Sequence, residues 1–194
     1  MRSERAAQRV FESVCGVTGR RLRLKVNREK SSIRHAAQAA LLGFGFFFDG
    51  PRVGIRIAPQ AIARLKDQLR MLTRRRWSVS MEYRTGRLNR LITGWVAYFR
   101  LAQRVSVLGK LDGWLRRRLR QIRWKEWKTT AAKRHNLRVR GISESNARKW
   151  AGSSKGYWRI AGSKVLPVSL PNSYWNRLGL NTLSQTWQSL NPTA

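Results

Sequence analysis

The stretch SVLGKLDGWLRRRLRQIRWKEWK, residues 106–128, decides the fold. Leu108, Leu111, Leu115, Leu119 and Ile122 recur at intervals of three and four, the period of one helix face, so the segment reads as a helix that buries a leucine stripe. Outside that stripe nearly the whole circumference is basic. At about 100° per residue, Lys110, Arg117, Arg120 and Lys128 fall together opposite the leucines, and Trp124 falls among them. Arg116, Arg123 and Lys125 extend the basic surface, and Trp127 sits at its edge. Guanidinium groups interleaved with aromatic planes neutralise phosphates while the rings stack on unpaired bases. Two arrangements of the tryptophans stay open. Either Trp124 and Trp127 face outward, or the C-terminal segment covers them and only the arginines face out.

Upstream, a helix opening near Ser80 lays Met81, Leu88, Leu91, Ile92, Trp95 and Phe99 on one stripe, with Arg87, Arg90 and Arg100 off it. Pro59 favours the first turn of an earlier helix whose apolar residues are Ile62, Leu65, Leu69 and Leu72. Three amphipathic helices with short connections bury their stripes against one another as a small bundle, and Trp77 and Trp95 belong to its packing. Before Pro59 the pattern is mixed. Ser3 caps a short helix with Ala6, Val10, Val14 and Val17 on one face, ended by Gly16 and Gly19. Leu22, Leu24 and Val26 alternate with basic residues as a half-buried strand does. Residues 41–48, the pair Asp49-Gly50, and Val53, Ile55 and Ile57 read as a β-hairpin on a tight turn. The fold class expected is α+β, mainly α.

Downstream, residues 128–140 have weak periodicity and dense charge, so they read as a linker or as a segment ordered on binding. A short helix follows over 143–151, then a Gly-, Ser- and Pro-punctuated stretch, then two short helical pieces. Within that stretch Lys155, Tyr157, Trp158 and Arg159 surround Gly156 as a second basic and aromatic constellation. Its rings either stack on a ligand or tuck under a turn.

Composition limits what such a chain does. Its 194 residues include 41 Lys and Arg against nine Asp and Glu, a formal charge of +32, so most of the charge has no internal partner. A compact state bearing it needs a dense counter-charge, and nucleic acid is the densest biological source. Cys15 stands alone, with only His35 and His135 beside it, too few for a disulfide framework or a zinc site. Asp49, Asp67 and Asp112 are isolated, whereas two-metal phosphoryl chemistry needs converging carboxylates. No catalytic site, metal or cofactor is expected. No apolar run reaches membrane-spanning length, and a reducing compartment, the bacterial cytoplasm, is the expected location.

Ordered blocks along the chain carry a family resemblance. Ser3-Glu4-Arg5-Ala6, Leu24-Lys25-Val26-Asn27-Arg28-Glu29-Lys30-Ser31 and Leu42-Gly43-Phe44 resemble the last palm segments of group II intron reverse transcriptases. Arg56-Ile57-Ala58-Pro59, Leu88-Asn89-Arg90, Gly94-Trp95-Val96-Ala97-Tyr98-Phe99, Ile122-Arg123-Trp124-Lys125 and Lys155-Gly156-Tyr157-Trp158-Arg159 resemble the thumb, or maturase, region and the segment after it. The resemblance implies three parts: a palm remnant over 1–58, a thumb-like three-helix bundle over 59–128, and a basic short-helix module over 129–194. It also implies a role. In that family the thumb and neighbouring basic surfaces grip intron RNA and help it reach its self-splicing form, and the RNA does the chemistry. The polymerase site needs a Tyr-x-Asp-Asp strand that this sequence does not contain. Lys30, Leu42, Gly43 and Phe44 match positions that support that site and the primer end.

The expected function is therefore intron RNA binding in support of splicing, without polymerase activity of its own. The alternatives are the C-terminal half of a split RNA-directed DNA polymerase, or a truncated remnant. Expected partners are group II intron RNA and, as alternatives, a DNA target or a separate N-terminal reverse transcriptase half.

Overall fold

The computed structural model describes residues 3–29 and 31–192, and is mainly helical with one small antiparallel sheet. It opens with α1 (Glu4–Arg20), capped by the Ser3 hydroxyl, which accepts from the Ala6 amide at 3.3 Å. The helix runs through Gly16 and Gly19 instead of ending there, because neither glycine takes the left-handed conformation that terminates a helix. No residue of α1 is buried. The strand expected over 22–26 does not form. Arg23 has φ 53°, which breaks the extended run, and Leu22 and Leu24 stay exposed without a partner strand.

The sheet has the order β1 (Ala40–Leu41), β2 (Phe44–Asp49), β3 (Arg52–Ile57). Asp49 pairs with Arg52, so Gly50-Pro51 is a two-residue turn. Gly50 takes φ 58° while proline is confined to negative φ, which selects the type II′ geometry over type I′. The β1–β2 turn also has two residues, Leu42 at φ 52° and Gly43 at φ 83°, the type I′ geometry. A leucine in that region costs about 1 kcal/mol. The turn is held by the Tyr98 hydroxyl donating to the Leu42 carbonyl at 2.9 Å and by the Ala58 amide donating to the Gly43 carbonyl at 2.8 Å.

The β3 edge is partly sealed. Gln103 donates its amide to the Ile55 carbonyl at 2.9 Å, and its side-chain oxygen accepts from the Ile55 amide at 3.1 Å. Gly54 makes room for this: a Cβ there would lie 2.3 Å from the Phe47 ring and 2.7 Å from the Gln103 oxygen.

The helical part begins with α2 (Pro59–Leu72), α3 (Met81–Tyr98) and α4 (Ser106–Glu126). Leu65, Leu69, Leu88, Ile92, Leu108, Leu111, Leu115 and Leu119 are buried at their centre, each contributing about 1.5–3 kcal/mol. Residues 128–140 are not a linker. They hold α5 (Thr130–Arg138), whose cap is the Thr129 hydroxyl accepting from Ala132 at 3.1 Å. Glu144, at the start of α6 (Glu144–Ala151), ties the two helices by pairing with Arg134 and Arg138.

Four short helices finish the fold: α7 (Tyr157–Ala161), α8 (Val165–Ser169), α9 (Asn172–Arg177) and α10 (Leu183–Leu190). They do not form a detached module. Ile160, Leu166, Leu170, Trp175 and Leu183 join the same buried cluster as the leucines of α4. The long α4 packs against α7 on one side and α10 on another, so it is the axis of the helical part and not its outer wall.

Candidate nucleic-acid interface

This packing corrects the picture of α4 as a free basic face. Trp124 is only 3% exposed and Trp127 7%, so the covered arrangement of the two rings is the one that forms. They meet edge to face with centroids 5.8 Å apart, beneath the Lys133 ammonium on Trp124 and the Arg140 guanidinium on Trp127. Trp124 is therefore withdrawn from any stacking surface, because α5 and the turn after it lie over it.

The arginines of α4 are half-buried, and their guanidinium groups serve as fasteners. Arg117 donates twice to the Trp158 carbonyl, at 3.2 and 2.9 Å. Arg120 donates to the Leu170 carbonyl at 3.3 Å, and Arg123 pairs with Glu126 at 2.8 Å. Burial, with a smaller contribution from neighbouring Arg116, pushes the Arg120 guanidinium down to about 10. Arg118 is tied to the carbonyls of Arg70 and Thr73, and burial lowers its pKa first, with Arg70 and Arg75 adding to the effect. Arg84, 1% exposed, donates to the Leu72 and Trp77 carbonyls and lies over the Trp77 ring, its pKa also lowered by burial. In each of these except Arg123 the anchor is a neutral carbonyl, so the positive charge is held in place without being cancelled.

The exposed members of the expected set gather at the two ends of α4. Lys110 lies toward its start, while Lys125 and Lys128 lie at its finish. At the finish, Lys125 donates to the Arg75 carbonyl at 3.0 Å, and the Arg75 guanidinium lies 4.5 Å from the centroid of Tyr157. The second constellation meets the first at this point. Tyr157 is 38% exposed and Trp158 40%, so these rings stand on the surface and are not tucked under a turn. Arg117 backs Trp158, its guanidinium carbon 4.0 Å from the ring centroid. Lys155 and Arg159 flank the pair, both exposed, with the Lys155 ammonium over Trp150 at 5.0 Å. Gly162 permits the arrangement, since a Cβ there would lie 2.4 Å from the Arg117 guanidinium carbon.

Arg74, Arg75 and Arg76, all exposed in the α2–α3 loop, border this ledge and were not among the residues expected to bind. The signal was present: three consecutive arginines with no acid beside them. Of the palm-like positions, Lys30 lies outside the described residues. Leu42, Gly43 and Phe44 form the strained β1–β2 turn and the start of β2, beside Tyr98 and Phe99. Arg116 is half-buried near Arg120.

These features define a mainly helical α+β protein whose ledge pairs exposed rings with cations. Residues 62–141, from α2 through α5, match the model of the group II intron, maturase-specific domain. That segment thus carries a domain of the group II intron maturase-specific type, a likeness that points to intron splicing. No curated protein matches the chain. The ledge residues Lys155 to Arg159 and the β-sheet lie outside the matched segment.

Proposed function

We propose that this chain binds folded group II intron RNA and thereby supports splicing, without polymerase activity of its own. The observation that carries the reading is the Tyr157–Trp158 ledge: two exposed rings, each with a guanidinium within 4.5 Å of its centroid. Such rings offer a face to an unpaired base, while Lys155, Arg159, Lys128 and Arg74–Arg76 meet the flanking phosphates. Lys110 and Lys125 extend the basic surface along α4. The α4 arginines hold the ledge in position and add their uncancelled charge to the field around it.

The test is filter binding of the full chain to intron RNA across a salt series. Tight binding that falls steeply with salt is expected, because each neutralised phosphate releases counterions. Substituting both Tyr157 and Trp158 by Ala should weaken binding by about 1–3 kcal/mol per stacked base while leaving the salt slope unchanged. Replacing Arg75 and Arg76 by Gln should instead lower the slope by about one for each phosphate no longer neutralised. Equal affinity for intron RNA and an unrelated structured RNA of the same length would sink the reading.

One observation favours a second reading, that the chain works with a separate polypeptide carrying the fingers and the catalytic strand. Val10, Val14 and Val17 of α1 form an exposed apolar stripe, with Leu22 and Leu24 exposed just beyond. Primer extension upon mixing the two polypeptides would establish it. No gain over either alone would dismiss it. DNA as the bound partner is decided by competition between intron RNA and duplex DNA in the same binding assay.

A further inference from the structure

The last residues of the chain break with the rest of it. The sequence holds 41 Lys and Arg, yet residues 178–194 contain no charged side chain and are rich in Asn, Gln, Ser and Thr. The described part of this segment folds back as α10 against α3 and α4, leaving an open groove between α3 and α10. Thr93, Asn176, Asn181, Gln185, Thr186 and Ser189 line it, and no charged residue does. The Thr186 and Ser189 hydroxyls each donate at 2.8 Å to a carbonyl of their own helix or its cap, which leaves their oxygens to accept. The Gln185 oxygen accepts from Thr182 at 3.0 Å, which leaves its NH2 to donate. The side-chain amides of Asn176 and Asn181 have no partner among the described residues, and both are exposed. The floor is low, because α3 presents Thr93 and Ala97 to the groove. Arg90 stands one turn before Thr93, Arg100 follows Ala97, and Arg177 adjoins Asn176, all three exposed.

A neutral lining, in which amides and hydroxyls alternate with the apolar Ala97, Leu180 and Leu190, is a poor site for a phosphate and a better one for a ribose or base edge that carries no charge. Arginines at the margins supply the attraction that the floor lacks. The minor groove of A-form RNA has this chemistry: a wide, shallow surface of 2′-hydroxyls and base edges between phosphate-bearing strands. Its 2′-hydroxyls donate to Thr and Ser oxygens, and its base and ribose oxygens accept from amide NH2 groups. We infer that the α3–α10 groove seats the minor groove of a double-helical RNA segment and senses its 2′-hydroxyls. The inference rests on the RNA-binding reading and adds a contact for paired RNA, apart from the ledge for unpaired bases.

The probes are a duplex of about 16 base pairs made as RNA, the same sequence made as DNA, and a single-stranded RNA, each bound to the full chain. RNA duplex is expected to bind about tenfold more tightly than DNA duplex, the worth of one or two net hydrogen bonds. The double variant Asn176→Ala, Gln185→Ala should bring that ratio to within about twofold. Its affinity for DNA duplex and for single-stranded RNA should stay unchanged. Ala97→Trp, which fills the floor from α3, should act alike, with circular dichroism confirming that each variant is folded. Equal binding of RNA and DNA duplexes by the unaltered chain overturns the inference while leaving the ledge intact. Retention of the RNA preference by both folded variants also overturns it. Failure to bind all three probes overturns the broader RNA reading as well.

Discussion

Arg117 shows how one side chain serves both fold and surface. Its two bonds to the Trp158 carbonyl and its place under the Trp158 ring fix α7 on α4, and Gly162 leaves it the space to do so. Gly162→Ala should displace the guanidinium, the far end of a flexible side chain, and lower stability by about 0.5–1.5 kcal/mol, the net worth of a hydrogen bond, seen as a slightly reduced melting temperature and altered tryptophan fluorescence. Arg120 makes the opposite prediction. It is half-buried, with one carbonyl partner and Arg116 nearby, so its charged form is disfavoured in the fold. Arg120→Leu should leave the protein at least as stable at neutral pH. The folded-state pKa lies below the unfolded one, so this penalty is constant while both states are charged, and shrinks as pH rises through about 10. The difference in melting temperature between variant and parent should therefore narrow above that pH. A variant markedly less stable at pH 7 would refute the account. At this scale the sequence was informative about charge and poor about exposure. Helical spacing put Trp124 among the arginines, and nothing local announced that α5 would lie over it.

Elements differ in how plainly they are written. The leucine stripes of α2, α3 and α4 were legible because each buries a full face, and the hairpin because Gly50 marks its turn, although the turn residues are Gly50-Pro51 and Asp49 is paired as the last residue of β2. The helix α5 was not, since its only buried residue is Leu137 and its other supports come from Glu144 and from the Lys133 contact with Trp124. Periodicity cannot register a helix held by so little apolar surface. The strand expected near Leu24 failed for the converse reason: alternation was present, but no strand lay beside it. The helix α10 depends on a residue distant in sequence. The buried Asp112 carboxylate on α4 accepts from the Leu183 amide at 2.8 Å, the Ser184 amide at 3.0 Å and the Ser184 hydroxyl at 2.6 Å. Asn89 on α3 adds a bond to the Gly179 carbonyl and one from the Asn181 amide. Asp112→Ala should cost about 1–3 kcal/mol and speed amide exchange at Leu183 and Ser184 ahead of α4 itself. Uniform protection across both helices would show that α10 is held mainly by its apolar contacts. Asp112, read as an isolated acid without a task, is an anchor.

On the scale of the whole molecule, the charge of +32 acts in two directions. It draws a polyanion and strains the folded state by self-repulsion. Raising salt from about 0.1 M to about 1 M shortens the screening length from about 10 Å to about 3 Å. The melting temperature of the free protein should then rise while its affinity for RNA falls. Calorimetry and filter binding on one salt series would check both, and a melting temperature that fell with salt would contradict the balance described. The α+β, mainly α class and the maturase resemblance were both recoverable before any coordinates, because they depend on long apolar repeats and ordered blocks. The continuity of the core from Ile57 to Leu183 was not, since it depends on which short helices find α4.

The carbonyl-anchored arginines have an evolutionary consequence. Arg56, Arg84, Arg117 and Arg118 all donate to main-chain oxygens of other segments, which no substitution can remove. A descendant with no polyanion to bind could shed the exposed Arg74 or Arg159 freely, but without one of these four a seam between segments would open. Part of the chain's basicity is thus kept by its architecture, whatever the surface cations bind.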